Sequence, residues 1–126
     1  MKRILLVDDL GIDVMLTRMA LDEHRVPYEI VVARDGEEAY AALAQGGFDL
    51  ALLDIKMPRV DGFELLERLR GQAPAGLSVI MLSGSGLASD RERAHALGAI
   101  DYVQKAVDYT GFKRELRAAL QRHHFC

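Results

Sequence analysis

Tryptophan is absent from the sequence, and cysteine occurs once, at Cys126. A single cysteine cannot close an intrachain disulfide, which suits a reducing compartment and leaves only an intermolecular bridge open. Long apolar runs are missing too. Ile4–Val7 stops after four residues, far short of the ~20 a membrane span needs. Asp8-Asp9 ends that run before a signal-like hydrophobic region of ~7–15 residues can form, so a cytoplasmic chain is expected. Charge of one sign is not in excess either: 16 Lys+Arg face 19 Asp+Glu, a net charge of −3. No broad basic footprint is available for a nucleic-acid backbone. What is present is an ordinary globular balance over 126 residues, half hydrophobic and 28% charged. That suits one domain with a buried core and no linker.

Five short β-like runs alternate with five amphipathic ones along the whole chain. The strands fall at Arg3–Asp8, Tyr28–Ala33, Asp49–Asp54, Ser78–Ser83 and Ile100–Gln104, apolar throughout rather than alternating, as in a parallel sheet buried on both faces. In the first helix, Ile12, Met15, Leu16, Met19 and Ala20 share one face by their i, i+3, i+4, i+7, i+8 spacing, which predicts that Met15 and Met19 pack in the core. Asp35 with Glu38, Asp61 with Glu64, and Ser89 with Glu92 mark three helix starts as capping boxes. Gly46-Gly47, Gly71 and Gly98 stand where helices end. A last helix starts near Asp108–Thr110 and turns Phe112, Leu116, Ala119 and Leu120 inward. The order is (βα)5, a three-layer α/β sandwich with right-handed crossovers. In such sheets ligands bind beyond the carboxyl ends of the strands.

The first strand ends in Asp8-Asp9, the third in Asp54 and the fourth in Ser83, and the fifth is followed by Lys105. Three carboxylates this close repel one another unless a cation neutralises them. Hard oxygen donors without clustered His or Cys favour magnesium, manganese or calcium over zinc, and so few carboxylates suit an octahedral magnesium that keeps water. Lys105 adds a movable positive charge and Ser83 a hydroxyl donor, so the rim can hold a phosphoryl group beside the metal. Asp54 is the nucleophile candidate, able to form an aspartyl phosphate by in-line attack. The four histidines, including the His123-His124-x-Cys126 tail, lack convincing ligand spacing for zinc, and Arg91 and Arg93 read as charges on a solvated face.

These residues resemble the receiver domain of two-component response regulators over essentially the whole chain. The matching segments are Ile4-Leu5-Leu6-Val7-Asp8-Asp9, Asp54-Ile-Lys-Met-Pro58 with Asp61-Gly62, Ser83-Gly84, and Gly98-Ala99-Ile-Asp-Tyr-Val-Gln-Lys105. The resemblance implies a flavodoxin-like, doubly wound parallel sheet of strand order 2-1-3-4-5 in a single receiver domain, residues 1–126, without an output domain. It implies that Asp54 is the phosphoacceptor, that Asp8, Asp9, Asp54 and the backbone carbonyl of Lys56 hold Mg2+, and that Ser83 and Lys105 contact the phosphoryl oxygens. Tyr102 falls at the family's aromatic switch: phosphorylation would draw Ser83 toward the new oxygens, let Tyr102 turn inward, and alter the face of the fourth helix, fifth strand and fifth helix. Lys56 and Ser85 flank the site where side chains influence attack by water.

The implied partners are a sensor histidine kinase and an unidentified downstream protein. Asp13-x-x-Leu16-Thr17 with Ala20-Leu21, and Val107-Asp108-Tyr109, are similar to standalone receivers of phytochrome-type kinases. Such receivers can pair as homodimers through the terminal helix and tail, here with Phe112, Phe125 and Cys126. Two departures stand out. Lys105 is followed by Ala106 where the family has a cis proline; a cis bond before a non-proline residue costs ~3–4 kcal/mol, so a trans peptide is expected. Leu10-Gly11 replaces the acid that often follows the paired aspartates. A degenerate receiver that binds partners without phosphorylation is the competing reading. A phosphatase would need a second acid where Lys56 stands, a flavin mononucleotide site would be repelled by Asp8-Asp9, and Gly84-x-Gly86-x-x-Ser89 lacks the third glycine of a dinucleotide loop.

Overall fold

Central strands whose side chains are apolar on both faces can be buried only between two helical layers, and that is the architecture found. The computed structural model describes residues 2–9, 11–23, 28–57, 60–70, 76–84, 87–105 and 108–125. The elements run β1 (Lys2–Val7), α1 (Gly11–Glu23), β2 (Tyr28–Ala33), α2 (Gly36–Ala44), β3 (Leu50–Asp54), α3 (Gly62–Leu69), β4 (Ser78–Ser83), α4 (Ala88–Ala96), β5 (Asp101–Gln104) and α5 (Tyr109–Arg122). The five strands form one parallel sheet in the order β2-β1-β3-β4-β5. The doubly wound flavodoxin-like fold expected from the sequence is therefore the fold of the chain. Strand ends differ from the expected ones by a residue at most, within the usual spread of such boundaries. Several positions singled out in the sequence lie outside the described residues: Leu10, His24, Pro58, Gly71, Ser85-Gly86, Cys126, Val107 and the Lys105-Ala106 peptide.

Alternation along each strand sorts the core into two sets. Leu5, Val7, Ala51, Leu53, Val79 and Met81 face α2, α3 and α4, joined by Leu43, Phe63 and Leu66. Ile4, Leu6, Leu50, Leu52, Ile80 and Leu82 face α1 and α5, joined by Val14, Leu21, Leu116 and Leu120. Among the described residues, no helix is long and apolar enough to cross a membrane.

The helix ends obey the sequence in part. Asp35 caps α2 by accepting from Glu38 N at 2.8 Å, Asp61 caps α3 through Glu64 N at 2.9 Å, and Asp108 caps α5 through Gly111 N at 2.6 Å. Gly46 (φ +77°) and Gly98 (φ +105°) take the left-handed positions after α2 and α4, which an L side chain resists. The box at Ser89 does not form. Helix α4 begins two residues earlier than that motif requires, with Leu87 at the N-cap and no side-chain cap bond; Ser89 lies inside the helix and is exposed.

Helix α1 departs further. Its inward residues are Val14, Thr17, Ala20 and Leu21, whereas Ile12, Met15 and Met19 are 58%, 50% and 44% exposed. Core packing of the two methionines is thus overturned. Helix α1 meets α5, whose Phe112, Leu116, Ala119 and Leu120 point inward as expected. The chain turns its small residues to that contact, and the bulkier stripe faces out.

Candidate functional site at the carboxyl ends of the strands

Sheet register decides which residues share the rim. Val7 is level with Leu53, Asp54 with Leu82, and Ser83 with Gln104. Asp8, Asp54, Ser83 and Lys105 therefore emerge next to one another at one end. Asp8 extends the β1 pairing through its N–H to the Ala33 carbonyl at 3.1 Å. Asp8 and Ser83 are fully buried, Asp54 nearly so, and Asp9 is exposed. Lys105 N donates to the Ser83 carbonyl at 2.6 Å, which fastens the end of β5 to that of β4.

The loop after β3 is held tightly. Gly62 N donates to the Ile55 carbonyl at 2.8 Å, and a Cβ at Gly62 would stand 2.4 Å from the Asp54 carbonyl oxygen. Only glycine lets the start of α3 approach the end of β3 this closely.

Charge at the rim is uneven. One oxygen each of Asp8, Asp9 and Asp54 lie within 4.8 Å of one another, close enough to share a cation. Lys105 Nζ donates to Asp8 Oδ2 at 2.8 Å and to Asp13 Oδ2 at 2.9 Å, and lies 3.6 Å from Asp54 Oδ2. Burial, helped by the charges of Asp8 and Asp9, pushes the Asp54 carboxyl up to about 6, although Lys105 and the Lys56 N–H pull it down. Burial would lower Lys105, but hydrogen bonds to Asp8 and Asp13 and the Asp54 charge outweigh it and hold the ammonium above its ordinary range. One lysine does not balance this set of acids. Asp8, Asp9, Asp13 and Asp54 outnumber the one ammonium at the rim, burial of Asp54 disfavours an uncompensated charge there, and the donors are hard oxygens, so the residues fit a divalent cation such as Mg2+.

Tyr102 is buried among the core side chains of the α3/α4 face, with the Arg91 guanidinium 4.7 Å from its ring centre. Arg91 also reaches the Tyr102 carbonyl at 3.5 Å, and Arg93 stacks 4.3 Å from the Phe63 ring. Both arginines thus cover aromatic faces rather than only facing solvent. Asp101 accepts from Tyr102 N at 2.8 Å and from Arg122 at 2.8 Å, tying the start of β5 to the end of α5. Phe112 and Phe125, considered for pairing between copies, are buried within the chain; Tyr28 donates through its hydroxyl to the Phe125 carbonyl, and Lys2 stacks on the Phe125 ring.

Of the residues the sequence pointed to, Asp8, Asp9, Asp54, Ser83 and Lys105 come together, and Lys56 follows Asp54 with its N–H toward that carboxylate. Asp13 was missed as a site residue. Its signal was available: it is an acid in the first turn of the helix that starts beside Asp8-Asp9.

Comparison with known proteins agrees with this geometry. The family model for the response regulator receiver domain matches residues 4–121. Response regulator GtcR of Aneurinibacillus migulanus is 36% identical over 121 residues, 96% of this chain and 48% of that protein. The chain spans about half the length of the curated relatives it matches. The crystal structure of the phosphorylated cyanobacterial phytochrome response regulator RcpA superposes with a TM-score of 0.84 at 32% identity, covering 95% of this chain and 91% of that one. The Mn(2+)-bound form of response regulator Rcp1 superposes with a TM-score of 0.83 at 28% identity, covering 96% and 93%. With sheet order, acidic rim and family match in agreement, the chain belongs to the response regulator receiver domain family.

Proposed function

We propose that Asp54 accepts a phosphoryl group from a partner histidine kinase in a Mg2+-dependent reaction, and that the phosphorylated surface then engages a downstream protein. The observation that carries this reading is the buried Asp54 carboxylate flanked by the Asp8/Asp9 pair and by the Lys105 ammonium 3.6 Å away. At neutral pH a carboxyl that titrates near 6 is mostly ionised and so able to attack. An Asp54 oxygen bonds to phosphorus as the bond from phosphorus to the donor imidazole nitrogen breaks in line, the nitrogen keeping the electron pair. Mg2+, held by Asp8, Asp9, Asp54 and the Lys56 carbonyl, would supply charge neutralisation for the phosphoryl oxygens. Lys105 and the Ser83 hydroxyl orient those oxygens. The chain thus catalyses only its own phosphorylation and dephosphorylation, as a signalling domain.

The exposed Ile12, Met15 and Met19 stripe on α1 supports a protein donor, because it lies on the helix that begins beside Asp8 and Asp9 and offers an apolar contact next to the acceptor. Similarity to the phytochrome response regulator RcpA supports a kinase of the phytochrome type. Burial of Tyr102 behind Arg91 supports its place in the switch: movement of Ser83 toward the phosphoryl group would be read at the α4/β5 face.

Intact-protein mass after incubation with acetyl phosphate tests the reading. One added phosphoryl mass that needs both Mg2+ and Asp54, and is lost in Asp54→Asn, is the expected result. No gain from either acetyl phosphate or a phosphorylated kinase, in folded protein that binds Mg2+, would overturn it in favour of a phosphorylation-independent interaction domain.

A further inference from the structure

Three carboxylates surround the Lys105 ammonium, and they are not equivalent. Asp8 and Asp54 belong to the cluster that can share a cation; Asp13 does not. Asp13 comes from a different element, the first turn of α1, where the free N–H groups of the helix favour a carboxylate. Its Oδ2 accepts from Lys105 Nζ at 2.9 Å, within 0.1 Å of the 2.8 Å bond to Asp8. Once a cation and a phosphoryl group draw on the oxygens of Asp8 and Asp54, Asp13 is the anchor of the three that keeps its lone pairs for the lysine.

Lys105 needs such an anchor. Its side chain is a flexible four-carbon stem, and in the sequence it is followed by Ala106-Val107, neither of which fixes the backbone as a proline ring would. On the α1/α5 side lies a cavity of about 90 Å³, lined by Asp13, Leu16, Thr17, Phe112 and Lys105 itself. The ammonium has room to turn that way when the Asp13 bond is removed. A charge that wanders by an ångström no longer meets the oxygens on which negative charge develops.

We propose that Asp13 is a positioning residue for phosphoryl transfer, holding the Lys105 ammonium at the acceptor site while Asp8 and Asp54 are engaged. The inference rests on the reading of Asp54 as phosphoacceptor. Its test is a cycle of wild type, Asp13→Asn, Lys105→Met and the double variant, timed by intact mass with acetyl phosphate at saturating Mg2+. Asp13→Asn should slow phosphorylation on the order of tenfold in the wild-type background and change it little in the Lys105→Met background. Equal losses in both backgrounds, or no loss in the first, would overturn the proposal. A second readout follows the Lys105 ¹⁵Nζ ammonium signal by NMR in Mg2+-loaded protein. A hydrogen-bonded, slowly exchanging ammonium in the wild type that is lost in Asp13→Asn supports the anchor, and one that persists in the variant refutes it. Should the wild type take no phosphate at all, the phosphoacceptor reading fails, while the ammonium signal still decides whether Asp13 holds Lys105.

Discussion

Helices α1 and α3 each follow a strand that delivers a carboxylate to the rim, yet they spend their apolar residues in opposite ways. Helix α3 puts Phe63, Leu65, Leu66 and Leu69 into the core, and its start is closed by Asp61 and pressed against β3 at Gly62. Helix α1 keeps Val14, Ala20 and Leu21 inside and shows Ile12, Met15 and Met19 to the outside. The first arrangement fixes the loop that follows Asp54. The second leaves a sticky surface beside the same site. A helix devoted to packing and a helix partly reserved for contact can therefore look alike by apolar count and differ in which stripe meets the sheet.

Mutations can break this contrast. The largest expected effect is Phe63→Ala, which should cost about 3–5 kcal/mol in chemical denaturation, because it empties a packed site under α3. Removal of charge acts the other way. The folded-state pKa of Asp54, about 6, is raised above its ordinary 3.8, so ionised Asp54 opposes folding fully above pH 6, and the penalty fades as pH falls from 6 toward 4. In metal-free protein at pH 7, Asp54→Asn should raise stability by about 1–2 kcal/mol after allowance for solvent screening. The gain should shrink at pH 4 and in excess Mg2+; a loss of stability at pH 7 would contradict the elevation of the buried Asp54 carboxyl. Next in size, Asp61→Ala should cost about 1 kcal/mol through the lost cap, whereas Ser89→Ala in α4 should be nearly silent. Smallest of all, Met15→Ala should shift stability by less than about 0.5 kcal/mol. A loss above 1 kcal/mol there would mean that the α1 stripe packs after all.

The sheet and the rim were legible because both depend on short-range signals. Strands buried on both faces show as unbroken apolar runs, and parallel order places every strand end, hence Asp8, Asp54, Ser83 and Lys105, on one side. The stripe on α1 was misread because periodicity finds the most apolar face, whereas packing against α5 selects the face that fits; Val14, Thr17 and Ala20 are smaller and win. Ser89 had the cap spacing but stands two residues inside α4, since the helix start was set by Leu87. The first-turn position of Asp13 was legible, but the partners of Asp13 and Arg91 were not. Their partners, Lys105 and Tyr102, lie 92 and 11 residues away, and no local pattern encodes such a pairing.

Lys105 also has a bearing on the order in which the chain assembles. Its bonds to Asp8 and Asp13 span 97 and 92 residues, and parallel strands are joined only by long crossovers. A growing polypeptide exposes Asp8, Asp9 and Asp54 well before the lysine that answers them is made. Until β5 docks, the end of the half-built sheet carries mutually repelling acids with no ammonium among them. The same three acids that fit a cation in the finished protein repel one another in its unfinished form, and β5, made last of the five strands of this sheet, is the one that brings the ammonium.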